Sequence, residues 1–234
     1  MLIDKIKDLL RPLYGPIWFP IKDRLAAARE RREAERLAPE KDKLRAQLAS
    51  GDRAAVLQAI DLMRIRGWLV DGTLHGVQMP GADLHDTSLE SADFTGAGLT
   101  GADFTAARMK LACLNDADLR GATFDGAVIR ASRCERADFR EASLRGVEMP
   151  IANLSSADLR EADFTQADLE ASKLRGADLR GANFTGARLE RVDFEGAQIE
   201  GANFTGASTR GANLPKGWRK LVIREGEEKK EKAR

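Results

Sequence analysis

The chain has 234 residues, of which 32% are charged and 43% are hydrophobic, and its formal net charge at pH 7 is +1. A net charge this close to zero gives the chain as a whole no electrostatic preference for nucleic acid, and two cysteines are too few for a disulfide framework. There is no signal peptide and no apolar run of about eighteen residues, which favours a reducing cytoplasmic setting.

Residues 1–21 combine an apolar stripe with three prolines. The stripe and its aromatic extension comprise Leu2, Ile3, Ile6, Leu9, Leu10, Leu13, Trp18 and Phe19. Because proline lacks a backbone N–H donor, Pro12, Pro16 and Pro20 are predicted to prevent one continuous helix. An amphipathic helix followed by a proline-rich hook can lie at the inner face of a membrane, or it can pack on the rest of the molecule or on a second copy. The segment is therefore a candidate tether to a membrane or to a partner.

Residues 22–70 are predicted to be helical. Lys22–Leu37 is rich in Ala, Glu and Arg, which are strong helix formers, and Pro39 is predicted to end this helix or to start the next segment. A later helix is predicted to begin at Asp52, whose side chain can cap it, and to end at Gly67. Its apolar residues recur at helical spacing, so one face should be buried.

From Gly76 to Pro215 the chain consists of consecutive five-residue units, with no insertion or deletion between them. The second residue of a unit is usually Ala, and the fourth is large and apolar except at Cys134 and Thr209. Residues two apart on an extended chain face the same side, so both positions are predicted to face inward. A five-residue unit that keeps this side inward must turn a corner each time, and four corners make a coil of twenty residues. The inward residues that recur at this spacing and should stack are Phe104, Phe124, Phe164, Phe184 and Phe204.

Units such as GADFT, DADLR, EADFT and GANFT resemble the sequence signature of the pentapeptide-repeat family. The resemblance implies a β-solenoid, in the form of a right-handed quadrilateral β-helix, here of about seven coils and preceded by an N-terminal α-helical segment. The predicted segments are 1–21 (amphipathic and aromatic), 22–70 (helical, capping the solenoid), 71–215 (the β-helix) and 216–234 (a C-terminal cap and a charged, disordered tail).

The two ends of a solenoid expose unpaired backbone and apolar surface, so each end needs a cap. The helix that begins at Asp52, together with Trp68, is predicted to plug the N-terminal end. At the other end the predicted plug consists of Trp218, Leu221, Val222 and Ile223. The stretch from Arg224 to Arg234 is almost entirely charged and is predicted to be disordered.

One outward face of the predicted solenoid carries an Asp stripe beside an Arg stripe. The stripes consist of Asp118, Asp138, Asp158 and Asp178, and of Arg120, Arg140, Arg160 and Arg180. Like charges one strand apart repel, and each stripe offsets the repulsion within the other. The face is either a self-neutralising solvent surface or a docking surface whose arginines fork onto a partner's carboxylates or phosphates.

A second outward row carries apolar side chains where other rows have Gly or charge. It consists of Leu111, Ala131, Ile151 and Ala171, with Val128 nearby. Aligned apolar side chains on a surface suggest a contact strip. The strip could receive the N-terminal helix, a second copy of the chain or a different protein.

The sequence offers little for catalysis or metal binding. His75 and His85 are ten residues apart, which places them on opposite faces of a four-sided coil, so they cannot share a metal ion. The cysteines are predicted to point in opposite directions, Cys134 inward and Cys113 outward. No zinc-ligand spacing and no phosphate-binding loop is present. We therefore expect no enzymatic activity, no cofactor and no bound metal.

The sequence favours a non-catalytic protein–protein interaction scaffold, tethered to an unidentified partner protein or a membrane by its N-terminal segment. The resemblance implies one alternative, since some members of the family mimic duplex DNA and bind gyrase. Residues 76–215 contain 22 acidic and 15 basic residues, which permits mimicry, but arginines interleave with the acidic rows. Nucleic-acid binding is not expected, because the basic segments have no aromatic-interleaved groove. The sequence is also compatible with a homodimer.

Overall fold

The computed structural model describes the backbone of residues 2–216 and of Trp218, and the side chains of Arg24, of residues 26–216 and of Trp218. The chain forms two compact units, Met1–Lys43 and Leu44–Arg234. Two helices precede the repeats, α1 (Leu2–Leu48) and α2 (Arg53–Arg66). The boundary between the units falls inside α1.

Helix α1 is a single helix of 47 residues that passes through Pro12, Pro16, Pro20 and Pro39. The prediction that these prolines interrupt the helix was wrong. A proline removes one backbone hydrogen bond and crowds the carbonyl four residues earlier, but this cost of about 3 kcal/mol is confined to one turn. Prolines four residues apart also lie on one side of a helix, so the opposite side keeps its hydrogen bonds.

Helix α2 has the ends that its sequence predicts. The side chain of Asp52 accepts a hydrogen bond from the backbone N–H of Ala54, and Gly67 ends the helix in the left-handed conformation with φ 73°. Glycine carries no Cβ that would oppose this φ. The N–H of the next residue, Trp68, donates to the carbonyl of Met63 at 2.8 Å, which completes the C-terminal cap.

The repeats form a β-solenoid in which residues twenty apart are joined by parallel bridges, from Gln78↔Gly98 to Asp193↔Asn213. One unit shows how its five backbone N–H groups are used. Those of Gly101, Asp103 and Phe104 donate to neighbouring coils, to the carbonyls of Arg120, Ala82 and Thr123. That of Ala102 closes a turn onto Leu99, and that of Thr105 donates to the Asp103 carboxylate at 2.8 Å. The Asp or Asn at the third position thus satisfies the one N–H that no backbone carbonyl reaches.

The interior of the solenoid is filled by the second and fourth residues of the units, as predicted. Phenylalanine rings stack along one wall: the centroids of Phe104 and Phe124 are 4.7 Å apart, and those of Phe164 and Phe184 are 5.0 Å apart. Leu144 takes the place of a ring between these two stacks and is fully buried. The wall is therefore continuous although one of its members is not aromatic.

Both cysteines are buried free thiols. Cys134 faces inward as predicted, and burial raises the pKa of its thiol to about 12, which keeps it protonated and unreactive at neutral pH. The prediction for Cys113 was incomplete, because this outward residue is only 4% exposed. The hydroxyl of Thr95, from the preceding coil, lies 3.2 Å from the sulfur and helps to cover it.

Helix α2 and the end of α1 lie against the first coil. Leu44 and Leu48 are buried, as are the apolar residues of α2, namely Val56, Ala59, Ile60 and Met63. The guanidinium of Arg45 donates to the carbonyls of Thr73 and His75 at 2.7 and 3.1 Å. These contacts supply partners for backbone carbonyls at the open end of the solenoid.

At the opposite end, the ring of Trp218 packs edge-on against Phe204 with centroids 6.1 Å apart. The backbone N–H of Trp218 donates to the carbonyl of Pro215 at 3.1 Å. The rest of the predicted plug, Leu221, Val222 and Ile223, and the predicted disordered tail lie outside the described residues.

Candidate protein-interaction faces

The Asp and Arg stripes form four ion pairs of the same geometry. In each unit the residue at the third position is Asp and that at the fifth is Arg, so both side chains leave the same outer face. Nε and Nη2 of Arg140 donate to Oδ1 and Oδ2 of Asp138 at 2.9 and 2.7 Å. The corresponding pairs are Arg120–Asp118, Arg160–Asp158 and Arg180–Asp178. We call this set the Asp–Arg ladder.

Neighbouring rungs of the Asp–Arg ladder also interact. Nε of Arg140 lies 3.5 Å from Oδ2 of Asp158, one coil further along the solenoid. Nε and Nη2 of each arginine donate to its own aspartate. Nη1 makes no hydrogen bond within the part of the chain that the structure describes. The side chains of Arg140 and Arg160 are 37% and 39% exposed. The ladder therefore presents a row of oriented N–H donors to solvent.

An open groove of about 350 Å³ runs along the Asp–Arg ladder and is lined by Arg140, Glu141, Arg160, Glu161 and Arg180. The two glutamates occupy the first position of their units, where φ is near 60°. They were not among the predicted site residues. The signal for them is their place directly after Arg140 and Arg160, where the following coil has Gly181. The groove offers acceptors and donors side by side, at intervals of one coil.

The pairing fixes the charge state of the ladder. The guanidinium of Arg120 lowers the pKa of the Asp118 carboxyl to about 2. The pKa values of Asp158 and Asp178 are also lowered, in each case mainly by the hydrogen bond from the arginine two residues on. These three carboxylates therefore stay ionised at neutral pH.

The predicted apolar strip is exposed at Leu111, Ile151 and Ala171. Leu111 and Ile151 are 53% and 55% exposed. The strip residues Leu111, Ala131, Ile151 and Ala171 all have positive φ, between 55° and 61°. They stand at the corner position that glycine occupies in half of the units, whereas Val128 lies on the adjacent face and is half-buried. A β-branched residue such as Ile151 rarely adopts this conformation.

The two histidines belong to separate clusters. His75 Nε2 lies 2.8 Å from Asp93 Oδ2. His85 lies near Asp83 and Asp103, and ligand atoms of these three residues are within 4.8 Å of one another, close enough to hold a metal ion. However, Nη1 of Arg53 contacts both Asp83 and His85. The cluster therefore already contains a cation from α2, which compensates its carboxylates.

Sequence reasoning missed the contact of Arg53 with Asp83 and His85 because it depends on how α2 packs. The spacing alone could have predicted that Asp83 lies next to Asp103, since they are twenty residues apart. It could also have predicted that His85, two residues beyond Asp83, lies beside them. The third and fifth positions of a unit face the same side, as the ladder also shows.

The candidate tether lies in α1. The backbone of Leu2–Phe19 is helical, and the side chains predicted to bind a membrane or partner are outside the described part. Among the residues described, no helix is both long and apolar enough to cross a membrane.

The chain matches the family model for pentapeptide repeats in eight copies, over residues 73–105, 107–146, 152–191 and 172–211, which is more than half of its length. No curated protein sequence matches significantly.

Three similar solved structures are pentapeptide-repeat or resistance proteins. A trypsin-treated form of QnrB1, a plasmid-mediated fluoroquinolone resistance protein, is 23% identical over 63% of this chain and 87% of its own, with a TM-score of 0.29. HetL, involved in heterocyst differentiation regulation in Nostoc sp. strain PCC 7120, is 22% identical over 66% and 91%, with a TM-score of 0.26. A protein of the Arabidopsis thaliana thylakoid lumen is 28% identical over 59% and 72%, with a TM-score of 0.22.

Proposed function

Because this chain belongs to the pentapeptide-repeat family, we propose that it is a non-catalytic scaffold that binds a protein partner through the Asp–Arg ladder. In this proposal the solenoid is a right-handed quadrilateral β-helix of about seven coils that acts as a rigid spacer. The N-terminal segment tethers it to a partner or to the cytoplasmic face of a membrane. The fold itself carries no activity, since the repeat residues maintain the scaffold.

The observation that supports the ladder most strongly is the outward Nη1 of each arginine. The guanidinium is already fixed by its aspartate, so a partner that accepts a hydrogen bond from Nη1 does not have to order a flexible side chain. In the groove, the carboxylates of Glu141 and Glu161 add hydrogen-bond acceptors beside these donors. A protein surface with alternating carboxylates and amides would complement this face, whereas a uniformly charged polymer would meet Glu141 and Glu161 beside Arg140 and Arg160.

The alternative, mimicry of duplex DNA for gyrase, requires a face with free negative charge. In the Asp–Arg ladder every aspartate is held by an arginine, so this face lacks the uncompensated charge of a phosphate backbone. A gyrase supercoiling assay tests the alternative. Inhibition of gyrase, or its protection from a fluoroquinolone, by the full chain would favour mimicry over the scaffold.

Affinity capture tests the ladder. The full chain is compared with a variant carrying Arg140→Lys and Arg160→Lys, which keeps the charge but loses the planar fork. The matched control carries Arg175→Lys and Arg188→Lys, which removes two paired arginines from other faces. A partner captured by the wild type and the control, and lost with the ladder variant, supports the proposal. Equal capture by all three proteins would assign the binding elsewhere.

Flotation with liposomes tests the tether. The full chain is mixed with vesicles with and without anionic lipid, beside a variant in which Leu9 and Leu10 are replaced by Asp. Binding by the wild type that the variant loses supports membrane attachment through residues 1–21. If the wild type does not float with either lipid mixture, the membrane tether is contradicted.

A further inference from the structure

One corner of the solenoid carries a column of residues that stack directly on one another. We call it the corner strip; it consists of Glu90, Lys110, Arg130, Pro150, Glu170, Glu190 and Arg210, with the apolar strip residues Leu111, Ala131, Ile151 and Ala171 beside them. Backbone hydrogen bonds join its coils: Leu111 N to Arg130 O (3.0 Å), Ala131 N to Pro150 O (3.0 Å), Ile151 N to Glu170 O (2.9 Å) and Ala171 N to Glu190 O (2.8 Å). Each step of twenty residues is therefore one coil along the solenoid.

The charges of the corner strip reverse about its centre. Arg130 and Glu170 lie one coil on either side of Pro150 and have opposite charges. Two coils away the residues are Lys110 and Glu190. Three coils away the residues are Glu90 and Arg210, which are again opposite. A two-fold axis through the centre would place every charge of one copy opposite a complementary charge of another.

The cations in the first half of the strip have no partner among the residues whose side chains the structure describes. Lys110 and Arg130 are exposed, and neither side chain makes a hydrogen bond or ion pair to any residue that the structure describes. Most other arginines of the solenoid are paired with a carboxylate, as in the Asp–Arg ladder. Two adjacent unpaired cations are therefore available to an external acid.

The acids in the second half are ordered by their own chain. Arg188 donates to Glu170 at 2.6 Å, and Arg191 contacts the same carboxylate. The hydroxyl of Ser208 donates to Glu190 Oε1 and lowers the pKa of this carboxyl, so Glu190 is ionised at neutral pH. Its other oxygen, Oε2, is buried, lies 3.9 Å from Nε of Arg188 and makes no hydrogen bond to a described residue. This half therefore attracts a partner's cations through the charge of its carboxylates, since Oε2 of Glu190 is not open to solvent.

The centre of the strip is apolar and strained. Ile151 is 55% exposed and has φ 61°, a combination that gives the folded chain neither full burial nor a relaxed backbone. Pro150 precedes it, and Ala131 and Ala171 lie one coil away on either side. The small alanines leave room around the larger side chain, so a second apolar residue can approach Ile151 closely.

We propose that two copies of this chain associate side by side and antiparallel through the corner strip, with a two-fold axis at Ile151. The two isoleucines meet on the axis. Arg130 of each copy then faces Glu170 of the other, and Lys110 faces Glu190. The partner is a second copy because the strip is complementary to itself when reversed.

The contact is small, so the association is weak. A strip ~30 Å long and ~10 Å wide on each copy buries ~600 Å² in total, below the ~1,200 Å² at the lower end of a standard interface. Its flanking ion pairs are exposed and screened by salt. Association should therefore appear at about 100 μM protein and low ionic strength, and decline as salt is added.

Disulfide trapping tests the axis in the full chain. In the variant Ile151→Cys the two new thiols lie at the two-fold axis, within the separation that a disulfide needs. The control is Gln166→Cys, on a different corner, where the residue is also exposed and has φ 59°. The native Cys113 and Cys134 are buried, so they contribute little background. We expect disulfide-linked dimers to form about tenfold faster with Ile151→Cys. Equal rates would overturn the proposal.

The register is tested with two further variants, Ala131→Cys and Ala171→Cys, which have nearly the same φ, 55° and 57°. In the proposed dimer residue 131 of one copy faces residue 171 of the other, whereas like residues are about two coils, ~10 Å, apart. A mixture of the two variants should form mixed disulfide dimers faster than either variant forms its own. Faster self-linking of either variant would contradict the antiparallel register.

Sedimentation velocity tests the charges. Replacing Lys110 and Arg130 by Gln should reduce the dimer fraction at about 50 mM salt to that seen for the wild type at about 500 mM. The control, Gln166→Glu with Lys216→Gln, also lowers the net charge by two units but lies off the strip, and it should behave like the wild type. A wild type that stays monomeric at both salt concentrations, as expected if its own N-terminal segment covers the strip, would overturn the proposal.

Discussion

Arg140 and Asp138 form a two-point ion pair, with Nε 2.9 Å from Oδ1 and Nη2 2.7 Å from Oδ2. The same pair recurs at twenty-residue spacing on the same face of the solenoid. Asp at the third position and Arg at the fifth position of one unit in each of four successive coils thus produce a row of fixed guanidinium groups.

The contribution of these pairs to stability should depend on pH. The folded-state pKa of Asp118 is about 2, below the value of about 3.9 expected in the unfolded chain. The pair with Arg120 therefore stabilises the folded state above about pH 4, and this stabilisation is lost as the pH falls through about 2.

The measurement is thermal unfolding of the wild type and Arg120→Gln between pH 6 and pH 2. The Tm difference between them should be largest near pH 6 and shrink towards zero at the acid end. The control Arg130→Gln removes a cation that pairs with no carboxylate in the described part of the chain, so its difference from the wild type should change less. A Tm difference for Arg120→Gln that is constant with pH would contradict this account.

The stacked rings should be a main source of the stability of the solenoid. Phe164 is fully buried and stacks on Phe184. Replacing Phe164 by Ala should lower the free energy of unfolding by about 3–5 kcal/mol because it leaves a cavity. Replacing it by Leu should cost less, since Leu144 already fills the equivalent place in the same wall. Chemical denaturation measures both, and equal losses for Ala and Leu would show that the wall does not adapt to Leu.

Helix α2 should protect the N-terminal end of the solenoid. Ile60 is 1% exposed and Ile65, on the same helix, is 81% exposed. We expect Ile60→Ala to lower the free energy of unfolding by about 2–5 kcal/mol and Ile65→Ala to change it by less than about 0.5 kcal/mol. Similar losses for the two variants would mean that α2 does not pack through the face that contains Ile60.

Because the backbone at Ile151 is strained, replacing this residue should change the free energy of unfolding only a little. A side chain at this φ costs about 1–3 kcal/mol, which glycine avoids, while the half-buried isoleucine contributes about 1 kcal/mol by burial. Ile151→Gly should therefore leave the free energy of unfolding within about 1 kcal/mol of the wild type. By contrast, Ile129→Ala, at a fully buried inward position, should lower it by about 2–5 kcal/mol. If Ile151→Gly is as destabilising as Ile129→Ala, the residue serves the fold and not a contact.

The solenoid could be predicted from the sequence because its period is strict and each unit makes the same local contacts. The stacking of Phe104 on Phe124 and the inward direction of Cys134 follow from the same period. The ends of α2 were also predictable, since Asp52 and Gly67 act on the backbone next to them.

The features that could not be predicted depend on contacts between distant segments or on opposing local contributions to the free energy. The helix through Pro12 and Pro39 depends on a balance between the local cost of proline and the preference of its neighbours. The burial of Cys113 requires Thr95 from the preceding coil, and the contact of Arg53 with His85 requires the packing of α2. Spacing along the chain does not report either contact.

The most direct test of the scaffold function is the Kd of a captured partner for the full chain and for its ladder variant. Arg140→Lys with Arg160→Lys should weaken binding about tenfold or more, because lysine cannot hold its aspartate in two-point geometry while offering a further fixed donor. The melting temperature should remain close to that of the wild type. An unchanged Kd for the ladder variant would contradict the claim that the Asp–Arg ladder is the binding face.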